Sequence, residues 1–368
     1  MNKTLGSALI VAGTTIGAGM LALPLATAAL GFGLSCLLLL VFALLAIKAA
    51  WVMVDHCLAL EGPASLDALG RQALGPFGRV LVALSMGFLY YALMAAYVSG
   101  SANLLAASLG LDPRLAALVA SLAVAALIML SMQVVDISNR LLFTIKMVAL
   151  VLVIGGLLPG VDPGHLAASP SLPLAALPII YTAFGYHGSL PTLVNYLEKD
   201  RRKLRLAIAG GTLLPLALYL VWQLVVLGSL NQQALGQTGG ALEKLVLALT
   251  QGQGGWLSTC IHIFADLALA TSFLGVAVGM FDFLAALFNR KATLAGRSQT
   301  ALLTFVPPLL ITLFVLNAFL GALGYAALAL AMVALVLPGL LSIKGQKPGE
   351  GALLLALGGL IYLAQLLG

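Results

Sequence analysis

The sequence predicts an all-α integral membrane protein of eleven spans in a single domain, with the first and sixth spans broken partway across. Composition is the first reason: 62% of the 368 residues are hydrophobic and 8% charged, against about 25% charged in an average soluble domain. Run length is the second. Eleven apolar runs approach the roughly 20 residues that a helix needs to cross a bilayer, at about 5–30, 33–59, 79–109, 114–134, 140–159, 172–196, 204–229, 256–288, 299–317, 321–342 and 351–367. They leave no stretch for a soluble domain, and continuous runs such as Leu37 to Ala46 lack the alternation of an outer-membrane barrel strand. The third reason is a pair of interruptions, Gly13-Thr14-Thr15-Ile16-Gly17-Ala18-Gly19 and Ala183-Phe184-Gly185-Tyr186-His187-Gly188. Each lies inside a run long enough to span, and each is followed by a proline, Pro24 and Pro191.

Spans 1 to 5, about residues 5–159, are odd in number, so a second set of five over about 172–342 must have the opposite orientation. The breaks in spans 1 and 6 then occupy corresponding positions of two inverted repeats, which places a binding site near the bilayer midplane. Gly17-Ala18-Gly19-Met20-Leu21-Ala22-Leu23-Pro24 against Gly185-Tyr186-His187-Gly188-Ser189-Leu190-Pro191 is the symmetry visible in the residues themselves. Span 11, about 351–367, stands outside the repeats as a packing or oligomer element rather than part of the site.

The loops between the spans carry the charge. A net charge of +6 is compatible with binding nucleic acid, but the basic residues are sorted by side. With the N-terminus inside, Lys3, Arg71, Arg79, Arg140, Lys199, Arg201, Arg202, Lys203, Arg205, Arg290, Lys291, Arg297, Lys344 and Lys347 fall on the cytoplasmic side, and only Arg114 and Lys244 outside. The positive-inside rule therefore fixes the N-terminus in the cytoplasm and, after eleven crossings, the C-terminus outside. Between spans 2 and 3, Glu61 to Gly78 reads as a polar cytoplasmic connection with a short surface helix around Ala64 to Leu74. Gly228 to Gly255 reads as an external loop whose apolar patch, Leu242 to Leu249, lies on the rim. Cys36, Cys57 and Cys260 are scattered within apolar spans, so neither a disulfide framework nor a metal cluster is indicated. Lys3 before an apolar run, with Ala26-Thr27-Ala28 beyond it, resembles a signal peptide, yet cleavage there would delete one of the paired breaks.

Unwound backbone in lipid exposes N–H and C=O groups that cost several kcal/mol apiece unless they line a cavity or hold a ligand. At a break the second half-helix presents N–H groups with about half a positive charge, and the first half presents carbonyls with the reverse. A zwitterionic amino acid matches both. Gly13, Gly17 and Gly19 let it approach the backbone, and Thr14 and Thr15 add hydroxyls beside Ile16. Blander readings exist for each motif. Gly13-x-x-x-Gly17 is also a helix-packing motif, which leaves the second break unexplained. Gly17-Ala18-Gly19-x-x-Ala22 lacks the strand that a dinucleotide loop requires. Gly188 and Pro191 also fit a simple kink. The catalytic clusters of intramembrane enzymes and the phosphate loop of an ATP-driven pump are missing, and no cofactor is expected.

Leu5-Gly6-Ser7 and Ile10-Val11-Ala12-Gly13-Thr14-Thr15-Ile16-Gly17-Ala18-Gly19-Met20-Leu21-Ala22 in span 1 carry a family likeness. So do Phe184-Gly185-Tyr186-His187-Gly188-Ser189-Leu190-Pro191 in span 6, and Phe264-Ala265-Asp266-Leu267-Ala268-Leu269-Ala270-Thr271-Ser272-Phe273-Leu274-Gly275-Val276-Ala277 in span 8. Together they resemble the hydroxy/aromatic amino acid permease family, most closely its tyrosine branch. The likeness runs nearly end to end and is poor only in the loop 228–255 and the last span. It implies the leucine-transporter fold and an inner-membrane symporter that imports L-tyrosine with a proton. Tryptophan, serine or threonine as cargo, or sodium as the ion, are the alternatives.

Ionisable groups at membrane depth need a purpose or a partner. Asp266 lies about 15 Å into span 8, and Lys146 about 9 Å into span 5 from the cytoplasmic side, at 1.5 Å per residue. Thr271 and Ser272 come within a few Å of the Lys146 level on the same scale. Family relatives implied by the resemblance use such a hydroxyl pair, with span 1 carbonyls, to bind sodium. A Lys146 ammonium in that space would replace the ion; snorkelling to the inner surface and pairing with Asp266 are the other placements. Asp266, spaced i, i+4 from His262, reads either as a proton carrier or as a structural partner for a helix end. His187 sits within the second break and reads as a substrate or proton contact, or as a cap for loose backbone groups. For an aromatic ring, Tyr90, Met94 and Tyr97 line one face of span 3, while Phe184, Gly185, Tyr186 and Phe273 come from the other site spans. His187, Asn103 and Gln223 are the candidate partners for a substrate phenol. Membrane lipid, tyrosine and a proton are the expected partners.

Overall fold

In a computed structural model, residues 2–167, 171–290, 293–315 and 317–368 are described; Lys291, counted above among the cytoplasmic cations, lies outside them. The described residues are helical, without a strand. Among the described residues, eight helical stretches are long and apolar enough to cross a membrane: Ala18–Leu58, Leu66–Leu109, Pro113–Leu130, Gln133–Gly160, Arg201–Ser229, Gly255–Leu287, Phe319–Lys344 and Pro348–Leu367.

The chain opens with α1 (Lys3–Thr15) and α2 (Ala18–Thr27), separated by the first break, followed by α3 (Gly31–Leu58). In α4 (Leu66–Leu109) the backbone leaves helical geometry at Leu74 and Gly75, so the expected surface helix is its first two turns, joined to the span by a kink. Then come α5 (Pro113–Leu130), α6 (Met132–Leu157) and the short α7 (Pro163–Leu166). The second break separates α8 (Ala176–Thr182) from α9 (Leu190–Tyr196), and α10 (Arg201–Ser229) follows. Next are α11 (Gln232–Gln237), α12 (Leu242–Thr250), α13 (Gly255–Leu287) and α14 (Leu294–Phe314). A π-turn over Met332–Val336 joins α15 (Phe319–Ala331) to α16 (Leu337–Lys344), and α17 (Pro348–Leu367) ends the chain.

Side-chain caps start many of these helices. Asn2, Ser65, Asp112, Ser131, Asp200 and Thr293 each accept a backbone N–H of the first turn, a contact worth about 1 kcal/mol. The apolar patch in the loop is not a rim but the helix α12. Leu242, Leu245, Val246 and Leu249 recur on one face and are buried against α13 and α4.

The two broken spans run antiparallel. Lys3 Nζ at the start of α1 lies 2.6 Å from Glu198 Oε1 just past α9. At the other end, the Ser171 N–H donates to Ala29 O at 2.8 Å, joining the lead-in to α8 with the exit from α2. Around this pair, α10 packs on α1 and α3, α13 on α6 and α4, and α15 on α4. In lipid such contacts rest on close packing, since lipid tails are as apolar as the helices. The α1–α10 contact is an example: a Cβ on Gly211 would meet Val11 Cβ at 2.6 Å and Ala8 O at 2.7 Å. Outward faces stay apolar, with Leu37, Leu40, Val41 and Leu44 exposed on α3 and Val148, Val151 and Leu152 on α6.

Candidate functional site

Both breaks open onto one cavity of about 470 Å³, within the range of about 300–1,000 Å³ of small-molecule sites. At the first break the helical ladder ends when the Ile16 N–H donates to Ala12 O at 2.8 Å, after which Gly17 is extended (φ −152, ψ −149). Among the described residues the N–H groups of Gly17 and Gly19 have no acceptor in the chain, and both residues line the cavity. The start of α2 therefore presents open donors with a partial positive charge. The Ala18 N–H between them donates to Ser272 Oγ at 2.9 Å, and Ser272 in turn donates to Ala268 O at 2.8 Å. A Cβ at position 17 would overlap Ser272 Oγ, so any side chain there displaces the hydroxyl that accepts the Ala18 N–H. Thr14 and Thr15 also line the cavity, but their hydroxyl hydrogens are turned back onto the α1 carbonyls, that of Thr15 to Val11 O at 2.7 Å.

Lys146 comes from α6 to the same point. Its Nζ donates to Ile16 O at 3.0 Å and to Thr271 Oγ1 at 3.1 Å, the Phe143 ring centroid lies 4.5 Å from it, and its side chain is only 2% exposed. It neither snorkels to a surface nor pairs with Asp266. An ammonium in contact with a broken-span carbonyl and a hydroxyl occupies the kind of oxygen-lined space that suits a small cation. No carboxylate lies within salt-bridge distance of it among the described residues. Metal-binding clusters of His, Cys, Asp and Glu are likewise absent among them.

In the second break α8 ends at Thr182, a single 3₁₀ turn covers His187–Ser189, and α9 begins at Leu190 with Pro191 in its first turn, where no N–H is needed. Gly185 and Tyr186 line the cavity. On α4, Tyr90 and Tyr97 line it as well, and the Tyr97 hydroxyl has no hydrogen-bond partner among the described residues. The wall runs from Tyr97 to Met86 on α4, from Lys146 to Asn139 on α6, and from Ser272 to Gly279 on α13. It thus extends from the breaks toward the face where α1 begins. On the opposite side Thr182 closes against α15, its hydroxyl 3.2 Å from Leu323 O.

Several expected contacts lie outside this wall. His187 is fully buried and points at α3, its Nε2 3.1 Å from Ala46 O and its ring stacked on Tyr186 at 4.7 Å. Gln223 donates from Nε2 to Thr27 Oγ1 at 2.6 Å, tying α10 to the end of α2. Phe184 packs edge-on against Tyr219, and Phe273 against Phe305 of α14. Asn103 donates to Asn317 Oδ1 at 2.7 Å, and Met94 is buried in the core. Asp266 is half-buried, away from the cavity. Three residues that sequence reasoning passed over matter instead. Asn139 and Phe143 share with Lys146 the i, i+4, i+7 face of α6 that looks into the cavity. The Tyr219 hydroxyl, at 0% exposure, lies 2.6 Å from Thr15 O and 3.0 Å from Ala183 O, one carbonyl from each break.

Known sequences resemble this chain over most of its length. The chain is 37% identical over 359 residues to the tyrosine-specific transport system 1 of Haemophilus influenzae, covering 94% of this chain and 89% of that protein. It is 35% identical over 375 residues to a tryptophan-specific transport protein of Pseudomonas aeruginosa, covering 96% and 89%. To the tyrosine permease of Enterobacter agglomerans it is 29% identical over 398 residues, covering 98% and 95%. The model of the tryptophan/tyrosine permease family, a family of transport proteins rather than enzymes, matches residues 1–367, so this chain, with its membrane-spanning helices and aromatic amino acid relatives, belongs to that family.

Proposed function

We propose that the protein is a symporter of the bacterial inner membrane that imports L-tyrosine with a proton. In this reading eleven spans form two inverted repeats of five, about 5–159 and 172–342, in the arrangement of the leucine transporter, and α17 is the accessory helix. The N-terminus is cytoplasmic and the C-terminus periplasmic, as the placement of the basic residues argues. Transport proceeds as spans 1, 2, 6 and 7 rock against the rest. The carboxylate of the zwitterion rests on the open Gly17 and Gly19 amides beside the Tyr97 hydroxyl, and its ammonium faces the carbonyl end of α1. The ring lies along the cavity wall between α4 and Tyr186.

One observation carries the proton: the Lys146 ammonium bonded to Ile16 O and Thr271 Oγ1, within the substrate break itself. A group so placed senses both substrate and the state of span 1, so proton and cargo bias the same two-state equilibrium through differential affinity. Asp266, out of the cavity, is the weaker carrier, and Thr271 with Ser272 serve as partners of Lys146 and of the break rather than as ligands of sodium. Tyrosine is favoured by relatives described as tyrosine-specific. Tryptophan is the second reading, because relatives described as tryptophan-specific are nearly as similar.

Uptake of labelled tyrosine into proteoliposomes, under an imposed pH gradient and then an imposed sodium gradient, tests the proposal, with unlabelled tryptophan as competitor. Accumulation driven by the proton gradient and insensitive to sodium is expected. Accumulation that follows sodium and ignores pH excludes Lys146 as the ion's substitute, and stronger competition by tryptophan than by tyrosine itself reassigns the cargo.

A further inference from the structure

One face of α10 touches both interruptions. Gly211 approaches α1 at Val11 and Ala8. Next to it the Thr212 hydroxyl lies 2.9 Å from the Tyr186 hydroxyl in the second break. Two turns further along, the Tyr219 hydroxyl lies 2.6 Å from Thr15 O and 3.0 Å from Ala183 O, and one turn beyond that Gln223 reaches Thr27. Positions 212, 219 and 223 fall on a single helical stripe.

The chemistry at Tyr219 is unusual. Thr15 closes α1 and Ala183 caps α8, so two helix C-termini, each with a partial negative charge, aim carbonyl oxygens at one point. Left alone they would repel in a medium that screens poorly. A phenol has one hydrogen to share between them. Its ring is held edge-on by Phe184 at 5.5 Å and is fully buried, which leaves no room to swing away.

We infer that Tyr219 is the positioning residue that sets the distance between the two broken spans, its neutral hydroxyl filling the point where their carbonyl ends would otherwise need a cation or a water. Both halves of the substrate site then travel with α10 as one body, and the site keeps its dimensions whichever side it faces. The inference rests on the breaks being the substrate site. It does not depend on which ion drives uptake, since the Tyr219 hydroxyl bonds to Thr15 O and Ala183 O and not to the Ile16 O and Thr271 that hold Lys146.

Tyr219→Phe keeps the ring and removes the bridge. In proteoliposomes normalised for protein amount, the apparent KM for tyrosine is expected to rise about tenfold, the effect of about one hydrogen bond. The dependence of uptake on pH should stay that of the native protein. Tyr181→Phe is the control: Tyr181 is a buried phenol of α8 whose hydroxyl bonds nothing among the described residues, and its KM should not move. An unchanged KM in Y219F, or an equal rise in Y181F, overturns the inference. If Y219F does not accumulate, Thr212→Val, which removes the neighbouring contact on the same stripe, must shift KM in the same direction or the inference fails. Native protein that takes up no tyrosine would instead count against the transport reading. The same variants would then be compared by the tyrosine or tryptophan concentration that stabilises each against heat.

Discussion

At the scale of the residue, Lys146 and Ser272 make opposite kinds of contact with one short stretch of backbone. Lys146 supplies positive charge to Ile16 O, and Ser272 supplies an acceptor to the Ala18 N–H. Lys146→Met removes two charge-assisted hydrogen bonds worth about 1.5–3 kcal/mol each and leaves their acceptors unpaired. Tyrosine accumulation driven by a pH gradient is expected to fall at least about tenfold, while exchange of internal for external tyrosine, which needs no net proton movement, persists. A variant that concentrates tyrosine as the native protein does would exclude the lysine from coupling. Ser272→Ala orphans a buried N–H at a cost of about 1–3 kcal/mol, so the KM for tyrosine should rise roughly 5- to 150-fold; the concentration dependence of uptake measures it. The depth of Lys146 and its approach to Thr271 were legible, because 1.5 Å per residue fixes height along a span. Direction around the helix was not. His187 and Gln223 had the right depth but turn toward Ala46 and Thr27, and only the neighbouring helices decide that.

At the scale of the element, the breaks could be read because glycine and proline punctuate apolar runs that otherwise have no reason to stop. Their backbone groups make a prediction. The amides of Gly17, Gly19, His187 and Gly188, which have no acceptor among the described residues, should exchange hydrogen for deuterium faster than the flanking turns of α1 and α9. Saturating tyrosine should slow Gly17 and Gly19. Protection of all four at the level of the helix interiors, without ligand, would mean that the spans are wound through. Other elements were hidden. Residues 242–249 read as a rim patch because a nine-residue amphipathic helix in a Gln- and Gly-rich loop gives too short a pattern to separate from a loop with chance leucines. Tyr219 was overlooked because one tyrosine in an apolar span looks like packing until the carbonyls of two other spans arrive at its hydroxyl.

For the whole molecule, the broken spans run antiparallel and the cavity between them extends toward the face where α1 begins. Asn139 lines that side, so Asn139→Cys, in protein with Cys36, Cys57 and Cys260 replaced by serine, should react with a polar thiol reagent applied from the cytoplasmic face and be protected by tyrosine. Reaction only from the periplasmic face would reverse the proposed orientation or the proposed opening. The all-helical, membrane-spanning character was legible from composition and run length, whereas the direction in which the cavity extends depends on which helix ends touch and has no trace in the residues. One consequence follows from the tethered ammonium of Lys146. If the proposed coupling of one proton to each tyrosine holds, tyrosine crosses as a zwitterion of no net charge and the lysine stays on its helix, so the only net charge that moves through the electric field is the proton's. Import then becomes an electrical load on the cell: each turnover draws one elementary charge inward, gains about 2.3 kcal/mol per 100 mV of membrane voltage, and stalls when the voltage and the pH difference collapse together, however much sodium is outside.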